Sequence, residues 1–193
     1  MPTLVFACGA ECGQLGAVGR HFTIVVTASN STTTVRTGAR SFRVNPTLAD
    51  GSWDSLTLVS ANVWVFRFYV RFTTLPTLTC DVMSTIQANS PGVYFNATDS
   101  KLYAGYFNVT AQLGATGVAV TTGVWYLVDV KVDASANPWT IDVQVNGSAA
   151  GQKTNAVAAG SATRFRVGIS TVSPTADIFF DDVAASNTAA DYP

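Results

Sequence analysis

Asp181 and Asp182 form the densest pair of carboxylates in the sequence, and paired carboxylates are the groups that cleave glycosidic bonds. Retaining hydrolysis requires two carboxyl groups about 5 to 5.5 Å apart. Neighbouring residues of a strand point to opposite faces, so these two would converge only at a bulge. We expect one to make buried hydrogen bonds to a neighbouring turn and the other to meet solvent. The single glutamate, Glu11, lies in a glycine-rich N-terminal segment, and we expect no enzymatic activity.

Cys8, Cys12, Cys80 and the single histidine, His21, carry the side chains that a Cys3His zinc site needs. Their spacing matches no familiar ligand motif, and Cys80 is far along the chain from the others. We expect the cysteines to be small buried hydrophobic residues, or Cys8 and Cys12 to contact each other. His21 is also the only candidate base for a serine or cysteine hydrolase, and no nucleophile motif accompanies it.

Calcium is the alternative to having no cofactor, because aspartate carboxylates at turns are its usual ligands. The candidates, all at or near predicted turns, are Asp50, Asp54, Asp99 and Asp177. They form no dense run with ligand spacing, so we expect neither a cofactor nor a metal ion.

Three aromatic residues could stack on the face of a sugar: Trp53, Trp125 and Tyr106. Trp125 lies opposite the valine face of its predicted strand, on the same side as Asp129 and Lys131, so its ring could be exposed. The alternative, which we prefer, is that these rings belong to the core of a second sheet or to a subunit contact.

The elements that must position these residues are strands, and the clearest is 63–72, VWVFRFYVRF. Its large apolar residues alternate with Val65, Arg67, Tyr69 and Arg71, which places two arginines and a tyrosine on the face away from the core. Two further segments, 124–133 and 139–146, alternate with valine or isoleucine on one side. About a dozen short strands separated by turns predict an all-β antiparallel sandwich of the jelly-roll kind, without substantial helix.

The remaining predicted strands are 4–7, 22–27, part of TGARSFRVNP (37–46), 79–87, 92–96, 101–107, 118–120, 163–170 and 176–185. We read 29–34 as a turn or exposed connection and 148–162 as weakly patterned. At 193 residues and 48% apolar, the chain is expected to be one domain, 1–193, with 1–21 packed on it or extending from it.

Composition argues against several partners. Charged residues are 12% of the chain, against about 25% in ordinary soluble proteins, and the net charge is −1 without any basic run. We therefore expect no nucleic-acid or membrane partner. The N-terminus lacks the basic start and apolar run of a signal peptide, and we expect none.

Six stretches in order resemble the laminin G-like, concanavalin A-like lectin and glucanase family: TGARSFRVN, FRFYVRFTTLP, GVYFNATDSKLYAGY, TTGVWYLVDVKVD, WTIDVQVNG and DIFFDDVAAS. The resemblance implies a jelly roll of two curved antiparallel sheets. The Glu-x-Asp-x-x-Glu strand that the family's glucanases use is absent here.

Within that family, a chain that begins at Met1 almost directly with a strand resembles bacteriophage structural proteins. The resemblance implies a virion protein, most simply a capsid decoration protein that binds the major capsid protein and copies of itself through 1–21 and 148–162. The alternative is a glycan-binding module of a tail fibre or spike.

Overall fold

A computed structural model describes residues 4–8, 22–25, 27–55, 60–86, 89–108, 110–155, 162 and 164–193. Sixteen strands occupy most of these residues. In chain order they are β1 (Leu4–Cys8), β2 (Phe22–Val25), β3 (Ala28–Ser31), β4 (Ser41–Val44), β5 (Gly51–Ser55), β6 (Val63–Thr74), β7 (Cys80–Thr85), β8 (Gly92–Asn96), β9 (Lys101–Asn108), β10 (Thr110–Leu113), β11 (Val118–Ala119), β12 (Trp125–Asp133), β13 (Trp139–Val145), β14 (Ser148–Asn155), β15 (Phe165–Ile169) and β16 (Asp177–Ser186). A short 3-10 turn, Ala189–Asp191, follows β16.

The strands form two antiparallel sheets that pack face to face. The first sheet has the order β14-β13-β12-β6-β16-β4-β3, with β1 also paired to β16. The second has the order β10-β9-β8-β7-β15-β5-β2, with β11 also paired to β9. This arrangement confirms the prediction of an all-β antiparallel sandwich. Within the described ranges, no helix is long and apolar enough to cross a bilayer.

β6 anchors the core between the sheets, as its alternation predicts. Its inward side chains are at most 2% exposed: Trp64, Phe66, Phe68, Val70 and Phe72. Phe66 meets Phe165 of the second sheet with ring centroids 4.8 Å apart, and Phe72 meets Phe95 at 5.7 Å. Each fully buried side chain of this size contributes about 1.5 to 3 kcal/mol relative to exposure. The central strand therefore joins the two sheets.

The apolar faces of β12 and β13 complete this core and confirm the second and third alternation patterns. β12 is antiparallel to β6, with Val128 opposite Phe68 and Val130 opposite Phe66. β13 continues the sheet, with Val143 opposite Val130. Since directly opposed residues share a face, these side chains form continuous apolar rows across three strands.

Four strands are not among those predicted from the sequence: β3, β5, β10 and β14. The errors at β3 and β14 share one cause. β3 lies where we expected a turn or exposed connection, and β14 lies in the stretch that we read as weakly patterned. Both are end strands of the first sheet, and neither has regular apolar alternation. Their backbone pairing with β4 and β13 stabilises them, and such pairing leaves little trace in side-chain pattern. Conversely, only Ser41–Val44 of the segment 37–46 is a strand.

Candidate functional site

Of the three aromatic residues that the sequence singles out, Trp53 is buried in the core. It is 2% exposed, and its Nε1 donates a hydrogen bond to the carbonyl of Arg43 at 3.2 Å. Tyr106 is half-buried and packs edge-on against Trp139, with ring centroids 5.7 Å apart. Trp125 begins β12 and lies half-buried on the outer face of the first sheet, the face turned away from the core. The structure therefore retains Trp125 as the candidate for stacking.

The aspartates considered as calcium ligands are each bonded to other side chains or belong to loops. Asp54 is 4% exposed and lies 3.0 Å from a guanidinium nitrogen of Arg166. Asp177 pairs with Arg43 at 2.8 Å, and Asp99 accepts the hydroxyl hydrogen bond of Tyr103 at 2.5 Å. Asp50 lies in the connection between β4 and β5. In the part of the chain that the structure describes, no three acidic, cysteine or histidine side chains are grouped as a metal site would require.

Cys80 is the one candidate zinc ligand whose side chain the structure describes. It is fully buried, and burial raises the pKa of its thiol well above the ordinary value. Cys12 and His21 lie outside the described residues, and Cys8 is described only as the last residue of β1. A thiol held protonated in the core is a packing residue and not a reactive one.

Strand register places an arginine between two aromatic residues on the outer face. Arg71 of β6 is directly opposite Trp125 of β12 on one side and Phe179 of β16 on the other. In the next row, Tyr69 stands between Leu127 and Asp181. Opposed residues have Cβ atoms about 4.5 to 5.5 Å apart, so each row is a set of touching neighbours.

A bulge in β16 brings Asp181 and Asp182 to the same loop. The register with β6 shifts between Asp181 and Ala184, and Asp182 has a left-handed φ of 48°. Asp181 Oδ2 accepts hydrogen bonds from the backbone N–H of Arg36 at 3.0 Å and of Thr37 at 3.3 Å. Asp182 accepts the Thr37 hydroxyl at 2.7 Å and pairs with Arg36. The prediction that one aspartate makes buried hydrogen bonds to a turn is confirmed for Asp181. Asp182 is about one-third exposed, as expected of the aspartate that meets solvent, and it also bonds to the same loop.

This loop covers part of the outer face. The Arg36 guanidinium carbon lies 3.4 Å from the centroid of the Tyr69 ring, a cation–π contact. Burial raises the pKa of Asp181, and three backbone N–H groups oppose that rise. The loop is thus held by a carboxylate whose own burial is costly.

The C-terminal residues cover another part of the same face. Gln144 Nε2 donates to the carbonyl of Pro193 at 3.2 Å, and the Ser186 hydroxyl bonds to Asp191. Burial, followed by the nearby negative charges of Asp142 and Asp129, raises the pKa of Tyr192 to about 12. The tail therefore lies over the rows that contain these acidic residues.

The same outer face carries a half-buried group of side chains, which we call the Trp125 patch: Trp125, Leu127, Tyr69 and Arg71. It offers an indole face, apolar area and guanidinium donors on rigid strands, which suits binding of a ligand that has both apolar faces and polar edges. Of these four residues, only Trp125 is predicted from the sequence as a candidate ligand contact. The signal for the others was present, since Tyr69 and Arg71 alternate on the outer side of the strongest predicted strand.

Solved structures share this fold. A cellulose-induced protein, Cip1, superposes with a TM-score of 0.69 over 95% of this chain and 97% of its own, at 12% identity. Domain 4 of AbnA, an extracellular arabinanase of Geobacillus stearothermophilus solved with arabinotriose, gives 0.67 over 96% and 92%, at 16% identity. A carbohydrate-binding module, CBM66 of Bacillus subtilis, gives 0.56 over 86% and 95%, at 12% identity. At these identities the likeness concerns the fold.

Three other similar structures are longer chains, of which this protein spans 47%, 17% and 49%. No protein-family model matches the sequence, and no curated protein matches it.

Proposed function

We propose that this protein is a non-catalytic glycan-binding module that binds a saccharide on the Trp125 patch. The observation that carries the proposal is the half-buried Trp125 ring on the outer face, next to Leu127 and across from the donor-rich Arg71. Sugar rings present C–H faces that pack on aromatic rings and hydroxyl edges that take hydrogen bonds. A strand-mounted indole meets the first need at a small ordering cost.

The structural neighbours support this reading over capsid decoration. One of them is a carbohydrate-binding module, and another was solved with arabinotriose. The densest carboxylate pair supports a role without catalysis, because Asp181 and Asp182 bond to the loop that contains Arg36 and Thr37. Placement of the module on a phage tail fibre or spike rests on the sequence resemblance alone and stays a prediction.

The test is a glycan array followed by titration of the best hit with wild type, Trp125→Ala and Leu78→Ala. Leu78 is 47% exposed in the connection between β6 and β7, so its variant controls for loss of an exposed apolar side chain outside the patch. We expect Trp125→Ala to weaken binding about 5- to 100-fold, the range for one lost aromatic contact, and Leu78→Ala to leave it unchanged. Equal binding by all three proteins, or no hit, would contradict the proposal.

A second candidate function is attachment to another protein, which a group of exposed apolar residues favours. The large apolar side chains with 45% to 76% exposure in the described residues are Leu48, Leu78 and Val124. The loops that carry Leu48 and Leu78 both contact residues 175–176. Ala176 N–H donates to the Pro46 carbonyl at 3.1 Å. Thr77 N–H donates to the Thr175 carbonyl at the same distance. Exposed apolar side chains on two such neighbouring loops, Leu48 and Leu78, favour a protein contact.

The partner predicted from the resemblance is a major capsid protein, and that prediction has its own test. Capsids that lack the protein are mixed with wild type or with Leu48→Ser/Leu78→Ser, and bound copies are counted. Saturable binding by wild type, reduced in the double variant, would support attachment. Absence of capsid binding together with a clear glycan hit would leave the glycan-binding module as the function.

A further inference from the structure

Arg71 differs from three neighbouring arginines on the outer face. Arg36 pairs with Asp182, Arg43 with Asp177 at 2.8 Å, and Arg67 with Asp129 at 2.6 Å. For Arg71, no such ion pair is present among the described residues, and its Nε is buried without a hydrogen-bond partner.

An unpartnered guanidinium nitrogen away from water is costly, because the donor has lost its hydration and gained nothing in return. The cost is not explained by packing alone. A methionine or leucine at position 71 would fill the space between Trp125 and Phe179 without a desolvated donor. An anionic ligand that binds the guanidinium would pair a cation that has no ion-pair partner among the described residues, and this charge-assisted bond would offset the cost at Nε.

We propose that Arg71 recognises a carboxylate group on the bound saccharide, so that the Trp125 patch selects acidic sugars. This inference rests on the proposed glycan-binding function and narrows its ligand class. A planar guanidinium matches a carboxylate through two parallel hydrogen bonds, while the adjacent Trp125 ring packs against the sugar that carries it.

The charges around the patch argue for isolated carboxylates and against a dense polyanion. Each of the arginines at 36, 43 and 67 already faces an aspartate, and the partly exposed Asp182 pairs with Arg36 of the loop that covers Tyr69. Because each pair is close to neutral, the three arginines offer a heavily sulfated chain little attraction, whereas a single carboxylate needs only Arg71. The ligand is therefore a mostly neutral oligosaccharide with a uronic or comparable acidic sugar.

The test uses an oligosaccharide array in which each acidic member is present as the free acid and as its carboxyl methyl ester, together with neutral oligosaccharides and dextran sulfate. The proteins are wild type, Arg71→Met, Arg71→Lys and the control Lys101→Gln, which removes one positive charge from β9 in the second sheet. Near-ultraviolet circular dichroism and thermal unfolding establish that each variant is folded.

We expect wild type and Lys101→Gln to bind the free acid about 10- to 100-fold more tightly than its ester, the range for one charge-assisted pair. Arg71→Met should bind acid and ester alike, and Arg71→Lys should fall between. Arg71→Met should also be at least as stable as wild type, because it removes an unsatisfied donor. A role in folding alone would predict destabilisation.

The alternative results separate the two proposals. Equal affinity of wild type for acid and ester, with Trp125 still required, would overturn the carboxylate inference and leave glycan binding in place. Preference for dextran sulfate that falls equally in Lys101→Gln and Arg71→Met would overturn it as non-specific charge. Binding to no member of the array would overturn both proposals.

Discussion

Removal of the Asp181 carboxylate should destabilise the protein far more than removal of its neighbour's. Asp181 is 1% exposed and accepts N–H groups of Arg36, Thr37 and Asp182 at 3.0, 3.3 and 2.9 Å. A hydrogen bond to a charged acceptor contributes about 1.5 to 3 kcal/mol. The bond from Thr37 is long, and burial of the carboxylate offsets part of the total, as the raised pKa of Asp181 indicates. We therefore expect Asp181→Ala to lower the free energy of unfolding by about 2 to 4 kcal/mol.

Asp182 supplies the matched comparison. Its carboxylate is about one-third exposed, and ion pairs of this kind contribute about 0.2 to 1 kcal/mol. Its φ of 48° is tolerated better by glycine, so Asp182→Gly deletes the carboxylate and relieves backbone strain together. The two terms oppose each other. The variant should stay within about 1 kcal/mol of wild type.

Urea unfolding followed by tryptophan fluorescence measures both variants, and hydrogen exchange follows the backbone amides of Arg36 and Thr37. Those amides should exchange faster in Asp181→Ala and remain protected in Asp182→Gly. Equal loss of stability in the two variants, or unchanged exchange in Asp181→Ala, would refute the division of roles at the bulge.

Three further predictions concern groups that lie fully or partly in the interior of the fold. Asp81→Ala should lower the free energy of unfolding, measured with urea, by about 3 to 5 kcal/mol, because this fully buried carboxylate accepts backbone and hydroxyl hydrogen bonds from both Ser170 and Thr171. Ser170→Ala, which removes one of these bonds, should lower it by about 1 kcal/mol. Cys80 should react with iodoacetamide at pH 8 only as fast as the protein unfolds, and a fast reaction, detected by peptide mass spectrometry, would contradict its burial. The raised pKa of Tyr192 adds to the free energy of unfolding, and this contribution is complete below about pH 10 and lost towards pH 12. The free energy of unfolding should therefore fall less steeply between these pH values in Tyr192→Phe than in wild type. Unchanged pH dependence in Tyr192→Phe would contradict that assignment.

The strands of the core could be predicted because a strand that buries one face has apolar residues at every second position. β6, β12 and β13 each have one face in the core, so every second residue is apolar. Trp53 shows what alternation does not predict. A single tryptophan in the sequence does not indicate whether its side chain faces the core or the outer surface of its sheet. In the structure the indole of Trp53 lies in the core, whereas that of Trp125 lies on the outer face of the first sheet.

The candidate site could not be predicted in full, because its parts come together only through register and a bulge. Arg71 and Trp125 are 54 positions apart and become neighbours only when β6 and β12 pair at a particular offset. A slip of one residue would place Trp125 opposite Val70 or Phe72, on the core side of β6. Asp181 and Asp182 meet one loop only because β16 departs from regular alternation.

The sparse charge of this chain makes the state of Arg71 informative. With charged residues at 12% of the sequence, the neighbouring arginines of the outer face still each have an aspartate partner. Arg71 stands between two aromatic residues with no aspartate partner among the described residues and with its Nε buried and unbonded, and a ligand that pairs with its guanidinium would explain why an arginine is kept there. Because Arg71 and Trp125 stand on paired strands and not on loops, they are positioned before the ligand arrives. Binding would then require little ordering of the protein, and the acid-to-ester affinity ratio would report mainly the contact with Arg71.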